Sequence, residues 1–269
     1  MDFILRWLIL KVENLFGDVY KFIGSISQDI FNHEVIQSLF TFFNSIGLSI
    51  AALAMISMLF KSLIAHADGK QFSITDIIKR FIGGGIVCTY GAKIMLNLYY
   101  VVLDTTGDLI SAIAGVSGEN ITISFTGTQF KNISKMMILI LMIVAVYHMM
   151  KTFFQLLERA WQYLVTLFLM YLYNAGFIMG NDESLIQWFK QCLAIILTQF
   201  FQVLLVTLGI SLFCTDGAFS TFCISIGAIT VSSKIQEILD KYGMSVGGAL
   251  GNTARNAMSM AFYARSILH

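Results

Sequence analysis

Long, almost uncharged stretches of apolar residues dominate the hydrophobic pattern of this chain. Crossing the roughly 30 Å hydrocarbon core of a bilayer takes about 20 such residues in a helix. Five stretches meet or approach that length, and we predict a transmembrane helix in each: 35–60, 81–103, 134–157, 160–181 and 190–215. A sixth stretch, 217–233, is shorter and rich in Gly, Ser and Thr, so it is either a short span or a re-entrant segment. The pattern predicts an all-α, polytopic transmembrane bundle of five to six spans.

The first segment, residues 1–34, has a different pattern. Its apolar residues recur at steps of three and four, which places them on one helical face: Ile4, Leu8, Val12, Leu15, Val19, Phe22 and Ile26. Most of the charged residues lie away from that face. We predict an amphipathic helix in the plane of the membrane interface, and packing on a partner helix is the alternative.

Two further segments lie outside the predicted spans. Residues 104–135 carry Thr, Ser and Gly with several charges, so we expect an exposed loop, in which residues 121–125 alternate like a short strand. Residues 234–269 are expected to form a helical C-terminal tail. Small residues recur along its second part and predict a close helix-packing or subunit-packing face: Gly247, Gly251, Ala254, Ala257, Ala261 and Ala264.

The distribution of Lys and Arg favours one orientation. Cytoplasmic loops carry an excess of these residues, and a compact basic cluster lies within residues 61–80. Simple counting does not separate a five-span chain from a six-span chain. The basic cluster and the acid-leaning loop 104–135 favour five spans with that loop outside the cytoplasm.

Composition agrees with a membrane location and excludes several functional classes. Of the 269 residues, 57% are hydrophobic and only 12% are charged, about half the charged fraction of a soluble domain. There is no proline to interrupt long helices. The net charge is +1 and the basic residues form no nucleic-acid-binding face. Phosphate-binding loops, nucleophile motifs and metal-ligand spacings are all missing, so we predict a protein that is not an enzyme and that needs no cofactor or metal.

A few polar residues fall inside the predicted spans, where they are costly and therefore candidates for function. Lys93 lies within the second span, and Tyr90 and Asn97 share its helical face. Tyr90 and Asn97 could hold the lysine ammonium or line a polar path. The alternative is that the lysine only extends toward the interface or makes a single structural hydrogen bond. Gln199 and Gln202 lie three residues apart in an apolar helix, and their amides must find partners there. We expect contacts between helices more than a pore lining.

The order of features resembles a known family. A helix ends in Leu157-Glu158-Arg159, and an aromatic-rich span begins at Trp161. A polar turn containing Trp188 (MGNDESLIQWFKQ, residues 179–191) leads into the long span after it. A Gly/Ser-rich apolar piece and the amphipathic VSSKIQEILDKYGMSVGG (residues 231–248) follow. This layout resembles the TrbL-like polytopic membrane subunits of conjugative, VirB-type, type IV secretion systems, especially the version in Gram-positive conjugative elements.

The resemblance implies a non-enzymatic channel or scaffold subunit in the cytoplasmic membrane of a bacterium. Such a subunit would form homo-oligomers, contact lipids, and assemble with other secretion-system membrane subunits and ATPases. It would meet the nucleoprotein substrate only indirectly or transiently. Glu158, Arg159, Trp161 and Trp188 are the assembly positions that the resemblance suggests. Two alternatives stay open: a small-molecule or ion transporter that uses Lys93 at mid-membrane, and a pore-former of phage or toxin type.

Overall fold

The computed structural model of this chain describes residues 31–68, 74–114, 135–215 and 219–241, and these are helical almost throughout. The helices are, in order, α1 (Glu34–Ala67), α2 (Ile74–Ile86), α3 (Ala92–Ala114), α4 (Lys135–Ile178), α5 (Glu183–Thr215), α6 (Phe219–Ser232) and α7 (Ile235–Lys241). A single π-helical turn, Val87–Gly91, joins α2 to α3 without a break. The prediction of an all-α fold is confirmed.

Four helices in the described residues are long and apolar enough to cross a membrane: Glu34–Ala67, Ile74–Thr106, Leu139–Ile178 and Glu183–Leu212. A helix rises 1.5 Å per residue, so even the shortest of these extends well beyond the roughly 30 Å of hydrocarbon. With no proline in the chain, nothing in the sequence forces these helices to end at the membrane surface. Each of these helices is therefore longer than the hydrocarbon core is thick.

The structure divides the region after the large loop differently from the sequence prediction. Residues 134–157 and 160–181 were expected to be two spans, but α4 is one continuous helix from Lys135 to Ile178. Glu158 and Arg159, which suggested a boundary, are accommodated within the helix because Gln162 bonds to both side chains. With α4 as one helix, the described residues contain four long candidate spans, which is roughly consistent with the five to six spans predicted.

Two other predicted boundaries also differ. Residues 104–114, assigned to the large loop, are helical because α3 continues to Ala114. Residues 121–125, the possible strand, lie outside the described residues. Helix α6 has 14 residues and is about 21 Å long, shorter than the hydrocarbon layer. It ends in a turn at Ser233 and Lys234, after which α7 begins.

The described residues fall into two compact units. The first lies within Met1–Leu39, Leu96–Leu164 and Ile196–Ile235. An aromatic cluster forms part of its core. The Tyr99 and Tyr163 rings stack with their centroids 4.5 Å apart, and the Phe31 ring meets both edge-on. The Tyr99 and Tyr163 side chains are almost completely buried, so this cluster fixes Phe31, just before α1, against the long helices of its unit.

The second unit lies within Phe40–Met95, Val165–Ile195 and Gln236–His269. Its helices approach closely at glycines. A side-chain carbon at Gly47 of α1 would occupy the space of the Tyr171 ring of α4, and one at Gly91 would lie 2.7 Å from the Met170 sulfur. Small residues that let backbones approach are the usual basis of helix packing in lipid. The Phe43 and Phe168 rings stack beside this contact, 4.3 Å apart.

Candidate functional site

A row of polar side chains on α4 meets the turn between α6 and α7 within the first unit. His148, Thr152 and Gln155 follow one another at steps of four and three, so they share one face of the helix. His148 Nδ1 lies 3.0 Å from the Ser233 hydroxyl, and the Thr152 and Ser232 hydroxyls are also 3.0 Å apart. The Gln155 amide donates to the Ser233 carbonyl over 3.1 Å. We call these five residues the polar seam.

The polar seam supplies hydrogen-bond partners at the end of α6. A helix that ends inside a bilayer leaves backbone carbonyls without partners, which is tolerated only where protein or water satisfies them. Here the Gln155 side chain supplies a donor to the carbonyl of Ser233, the first residue after the end of α6. The seam thus joins the end of α6 and the turn after it to α4 by hydrogen bonds.

The two glutamines predicted to need partners lie next to this seam in the same unit. Gln202 is fully buried and donates its amide to Gln155 Oε1 over 3.2 Å. Gln199 is also buried, and its carbonyl accepts from the Tyr99 hydroxyl over 2.8 Å. Both bonds join α5 to another helix. Within the described residues, the Gln202 carbonyl oxygen has no hydrogen-bond partner.

In the Glu158–Arg159 pair, Glu158 is exposed and Arg159 is buried. Arg159 is only 1% exposed, which is unusual for an arginine, and its guanidinium donates to Gln162 Oε1 over 2.5 Å. The Gln162 amide donates in turn to the exposed Glu158 carboxylate over 2.9 Å. Trp161 points outward and is 46% exposed. Of these candidate assembly positions, Glu158 and Trp161 are accessible on the described surface.

Trp188, the fourth assembly candidate, is buried in the second unit. Its indole N–H on α5 donates to the Thr166 carbonyl of α4 over 2.8 Å. Close by along the same two helices, the Gln191 amide donates to the Tyr173 hydroxyl over 2.7 Å. Trp188 therefore serves as a contact between α4 and α5 within the chain, rather than as an exposed anchor.

One polar contact in the second unit was not predicted from the sequence. Asn174 of α4 is fully buried, and its amide lies 2.9 Å from both the Gly84 carbonyl and the Cys88 sulfur. These acceptors lie at the end of α2 and in the π-helical turn that follows. A π turn disturbs the regular backbone pairing and often marks a functional position. The glycine run 83–85 was the available sequence signal, since it permits a close approach at this point.

The second unit also contains an ion pair that was not predicted from the sequence. Both terminal nitrogens of Arg80 bond to the two carboxylate oxygens of Asp182, which lies in the turn between α4 and α5. The guanidinium also donates to the Phe177 carbonyl over 3.2 Å and lies 5.7 Å from the Phe177 ring centre. Because Arg80 donates hydrogen bonds to it, the pKa of Asp182 is lowered from its ordinary value of 3.8.

A cleft of about 610 Å³ opens beside this ion pair. It is lined by side chains from the end of α1, the start of α2 and the α4–α5 turn: Met58, Ser62, Ala65, Asp76, Ile77, Lys79, Arg80, Phe177, Gly180 and Asp182. The lining combines two acids, two bases and several apolar groups. A cleft of this size and mixture is suited to a small amphiphilic ligand.

The predicted intramembrane residues around Lys93 are on the outside of the described structure. Tyr90 is 56% exposed, and Lys93 and Asn97 are also exposed. Lys93 lies near the middle of the Ile74–Thr106 span. The structure thus places these residues on an outer surface, whereas Gln199 and Gln202 lie inside. The candidate positions of the tail, from Gly247 to Ala264, lie outside the described residues.

A family model described as conjugal transfer protein TrbL matches residues 1–269, the whole chain. No curated protein and no solved structure matches this chain.

Proposed function

This chain belongs to the TrbL family of conjugal transfer proteins, and from that premise we propose that it is a non-enzymatic channel or scaffold subunit that oligomerises in the cytoplasmic membrane. The family membership makes it a component of a conjugal transfer apparatus, a type IV secretion system. Four long apolar helices agree with a protein embedded in a membrane. The finer assignment depends on the surface around Lys93.

The exposed polar face at mid-span is the observation that carries the proposal. A lysine at the centre of a span that faces lipid costs about 2.5–3.5 kcal/mol. Lys93 is exposed in the single chain, and Tyr90 is exposed three residues before it. A second copy, another subunit of the apparatus or a water-filled channel would remove that cost by covering or hydrating the ammonium. We therefore assign Tyr90 and Lys93, with Asn97 after them, to a subunit contact or a channel lining.

The interior of the chain supports the scaffold part of the proposal. Its buried amides bond to one another and to tyrosines, as Gln199 does with Tyr99 and Gln202 with Gln155. Such contacts fix the packing of helices within the subunit. We assign Glu158 and Trp161, which are both accessible, to contacts with other membrane subunits. ATPases and the nucleoprotein substrate would act through those partners.

The test is deletion of the gene from its conjugative element, followed by complementation. We expect the deletion to abolish transfer to recipient cells and the unchanged gene to restore it. Lys93→Leu should restore transfer poorly, although the variant accumulates in the membrane at the normal level. The control is Lys61→Leu, since Lys61 is also exposed but lies near the end of α1. Normal transfer after deletion would refute the proposed function, and full activity of Lys93→Leu would refute the role of Lys93.

A transporter that uses Lys93 as a substrate ligand is the competing function. A substrate site should enclose its charged group in a cavity between helices, whereas Lys93 lies on the outer surface. The same deletion strain distinguishes the two functions. A transporter predicts a lost uptake activity with transfer unchanged.

A further inference from the structure

Three basic side chains from two separate segments meet at the polar seam. His148 Nδ1 on α4 lies 3.0 Å from the Ser233 hydroxyl, and Lys234 is the next residue of that turn. Lys151 follows His148 by three residues, a spacing at which side chains on a helix are neighbours. The charges of both lysines act on the His148 ring. The seam therefore holds two ammonium groups close to one imidazole.

Within the described residues, no acid compensates this concentration of positive charge. Neither lysine forms an ion pair there, and no carboxylate in that part of the chain acts on the His148 ring. Glu158 lies two turns beyond Lys151 on α4 and accepts a hydrogen bond from Gln162. Glu237 is exposed on α7, three residues after Lys234, but the two side chains form no ion pair. Since like charges held close together repel one another, a bound anion would stabilise this arrangement.

Lys151 also lies at the border between the polar seam and an apolar outer surface of α4. It is four residues before Gln155, which belongs to the seam. It is also four residues after Tyr147 and three before Phe154, and both of these aromatic side chains are exposed. The stretch before it, 136–150, contains no Asp, Glu, Lys or Arg. A lysine at the end of such a stretch extends its ammonium along apolar surface towards the lipid phosphates.

We propose that Lys151 and Lys234 together bind the phosphate of an anionic phospholipid, one whose headgroup carries no ammonium group, as in phosphatidylglycerol. Both lysines donate hydrogen bonds to the phosphate oxygens, and the acyl chains lie along the exposed apolar residues of α4. His148 is a positioning residue, because its contact with Ser233 keeps the turn that carries Lys234 against α4. The site lies within the first unit and does not depend on the function proposed above.

The choice of ligand follows from the two positive charges and the apolar surface beside them. Basic side chains between or beside membrane helices attract anionic headgroups. Phosphatidylethanolamine and phosphatidylcholine carry an ammonium group next to the phosphate, which the two lysines repel, so both lipids should bind more weakly than phosphatidylglycerol. A lipid is favoured over a nucleic acid because the exposed residues of α4 next to the site include Ile140 and Ile143, which suit acyl chains rather than a sugar–phosphate backbone.

The experiment is native mass spectrometry of the full-length protein in mild detergent, titrated separately with these three lipids. We expect phosphatidylglycerol to bind most tightly. Lys151→Gln and Lys234→Gln should each weaken its binding by about fivefold, the effect of removing one lysine near an anionic headgroup. The double variant should lose the preference for phosphatidylglycerol. Lys241→Gln, which changes an exposed lysine at the end of α7, is the matched control and should bind as the unchanged chain does.

Conservative variants guard against misfolding. Lys151→Arg and Lys234→Arg keep a positive donor and should retain most of the binding, so their failure to do so would contradict the proposal. His148→Ala should weaken phosphatidylglycerol binding, whereas His148→Asn, whose amide can still bond to the Ser233 hydroxyl, should restore it. Equal weakening by both His148 variants would contradict the positioning role.

The remaining arms decide the source of the ligand. Equal binding of all three lipids, unaffected by the double glutamine variant, would overturn the proposal. Free glycerol 3-phosphate that binds as tightly as phosphatidylglycerol would overturn it in favour of a soluble phosphate ester. A short single-stranded DNA that displaces the lipid only when both lysines are present would overturn it in favour of a nucleic-acid contact.

Discussion

Helices α1 and α5 are similarly apolar, yet they lie in opposite environments. In an apolar 18-residue stretch of α5, 61% of the residues are buried within the chain, against 11% in α1. The buried part of α5 includes many of its polar residues. Six of them are buried: Ser184, Gln191, Thr198, Gln199, Gln202 and Thr207. On α1 the buried positions in the middle of the helix are the small residues Gly47, Ala51 and Ala54.

This contrast shows what determines burial when lipid is the solvent. An apolar side chain gains little by leaving lipid for the protein interior, so α1 can leave many of its large apolar residues exposed. Contacts form instead where a small residue allows close packing, or where a polar group needs a partner. Helix α1 uses the first kind of contact and α5 relies strongly on the second. The first three predictions below test these two kinds of contact, and the fourth tests an exposed ion pair for comparison.

The largest effect is expected at Gly47. Gly47→Ala places a carbon where the Tyr171 ring lies, so the helices must move apart. Overpacking of this kind costs about 1–3 kcal/mol, and we expect a clear fall in the thermal unfolding temperature of the detergent-solubilised protein. Gly85→Ala is the matched control, because nothing lies within 4 Å of the added carbon. Equal unfolding temperatures for the two variants would show that α1 does not depend on close packing at Gly47.

Removal of the buried Asn174 amide should have the next largest effect. Asn174→Leu keeps a similar volume but removes the donor to the Gly84 carbonyl and the Cys88 sulfur. Leaving a buried acceptor without a partner costs about 1–3 kcal/mol. The same change at the exposed Asn97 should be close to neutral for unfolding in detergent. If Asn174→Leu unfolds at the normal temperature, the contact with the π turn contributes no stability.

The bond between Gln155 and Gln202 should contribute less. Double-mutant cycles for hydrogen bonds between membrane helices average about 0.6 kcal/mol. Gln155→Leu, Gln202→Leu and the double variant form such a cycle, with unfolding in mixed micelles as the readout. We expect the double variant to be more stable than the sum of the single effects. Strict additivity would mean that the 3.2 Å contact carries no coupling energy.

The smallest effect is expected at the exposed ion pair. The pKa of Asp182 is lowered in the folded state because Arg80 donates hydrogen bonds to the carboxylate. The stabilisation is therefore fully present above the ordinary value of 3.8 and is lost as the pH falls through the lower folded pKa. The unchanged chain should be slightly more stable than Asp182→Asn at pH 6. A difference that persists undiminished at the lowest accessible pH would contradict this assignment.

The membrane class could be predicted because long apolar stretches and the absence of proline are visible in each segment by itself, without knowledge of what packs against it. That Gln199 and Gln202 need partners was also predictable from the sequence, since an amide in hydrocarbon must make hydrogen bonds within the protein. The identity of those partners was not, because Tyr99 and Gln155 lie on other helices. The Arg80–Asp182 pair was missed for the same reason, as its members are 102 positions apart. The continuity of α4 was missed because a charged pair within a helix looks like a helix end until its bonds to Gln162 are known.

The outward polar surface that includes Tyr90 and Lys93 can be compared with an outward apolar surface on α4. Tyr147 is 64% exposed, and its exposed neighbours along the helix are the apolar residues Ile140, Ile143 and Phe154. We expect that surface to face lipid, whereas the surface at Tyr90 should face protein or a channel. Both positions carry tyrosine, so the photoreactive residue benzoylphenylalanine can replace either with little change in shape.

Photo-crosslinking in cells that carry the complete conjugative element tests this difference most directly. The account predicts that benzoylphenylalanine at position 90 forms crosslinks to a second copy of the chain or to another membrane subunit, and that the same residue at position 147 crosslinks mainly to lipid. If position 90 gives only lipid adducts, with protein crosslinks no more frequent than at position 147, then Lys93 faces lipid in the assembled state and the proposed subunit or channel surface is wrong.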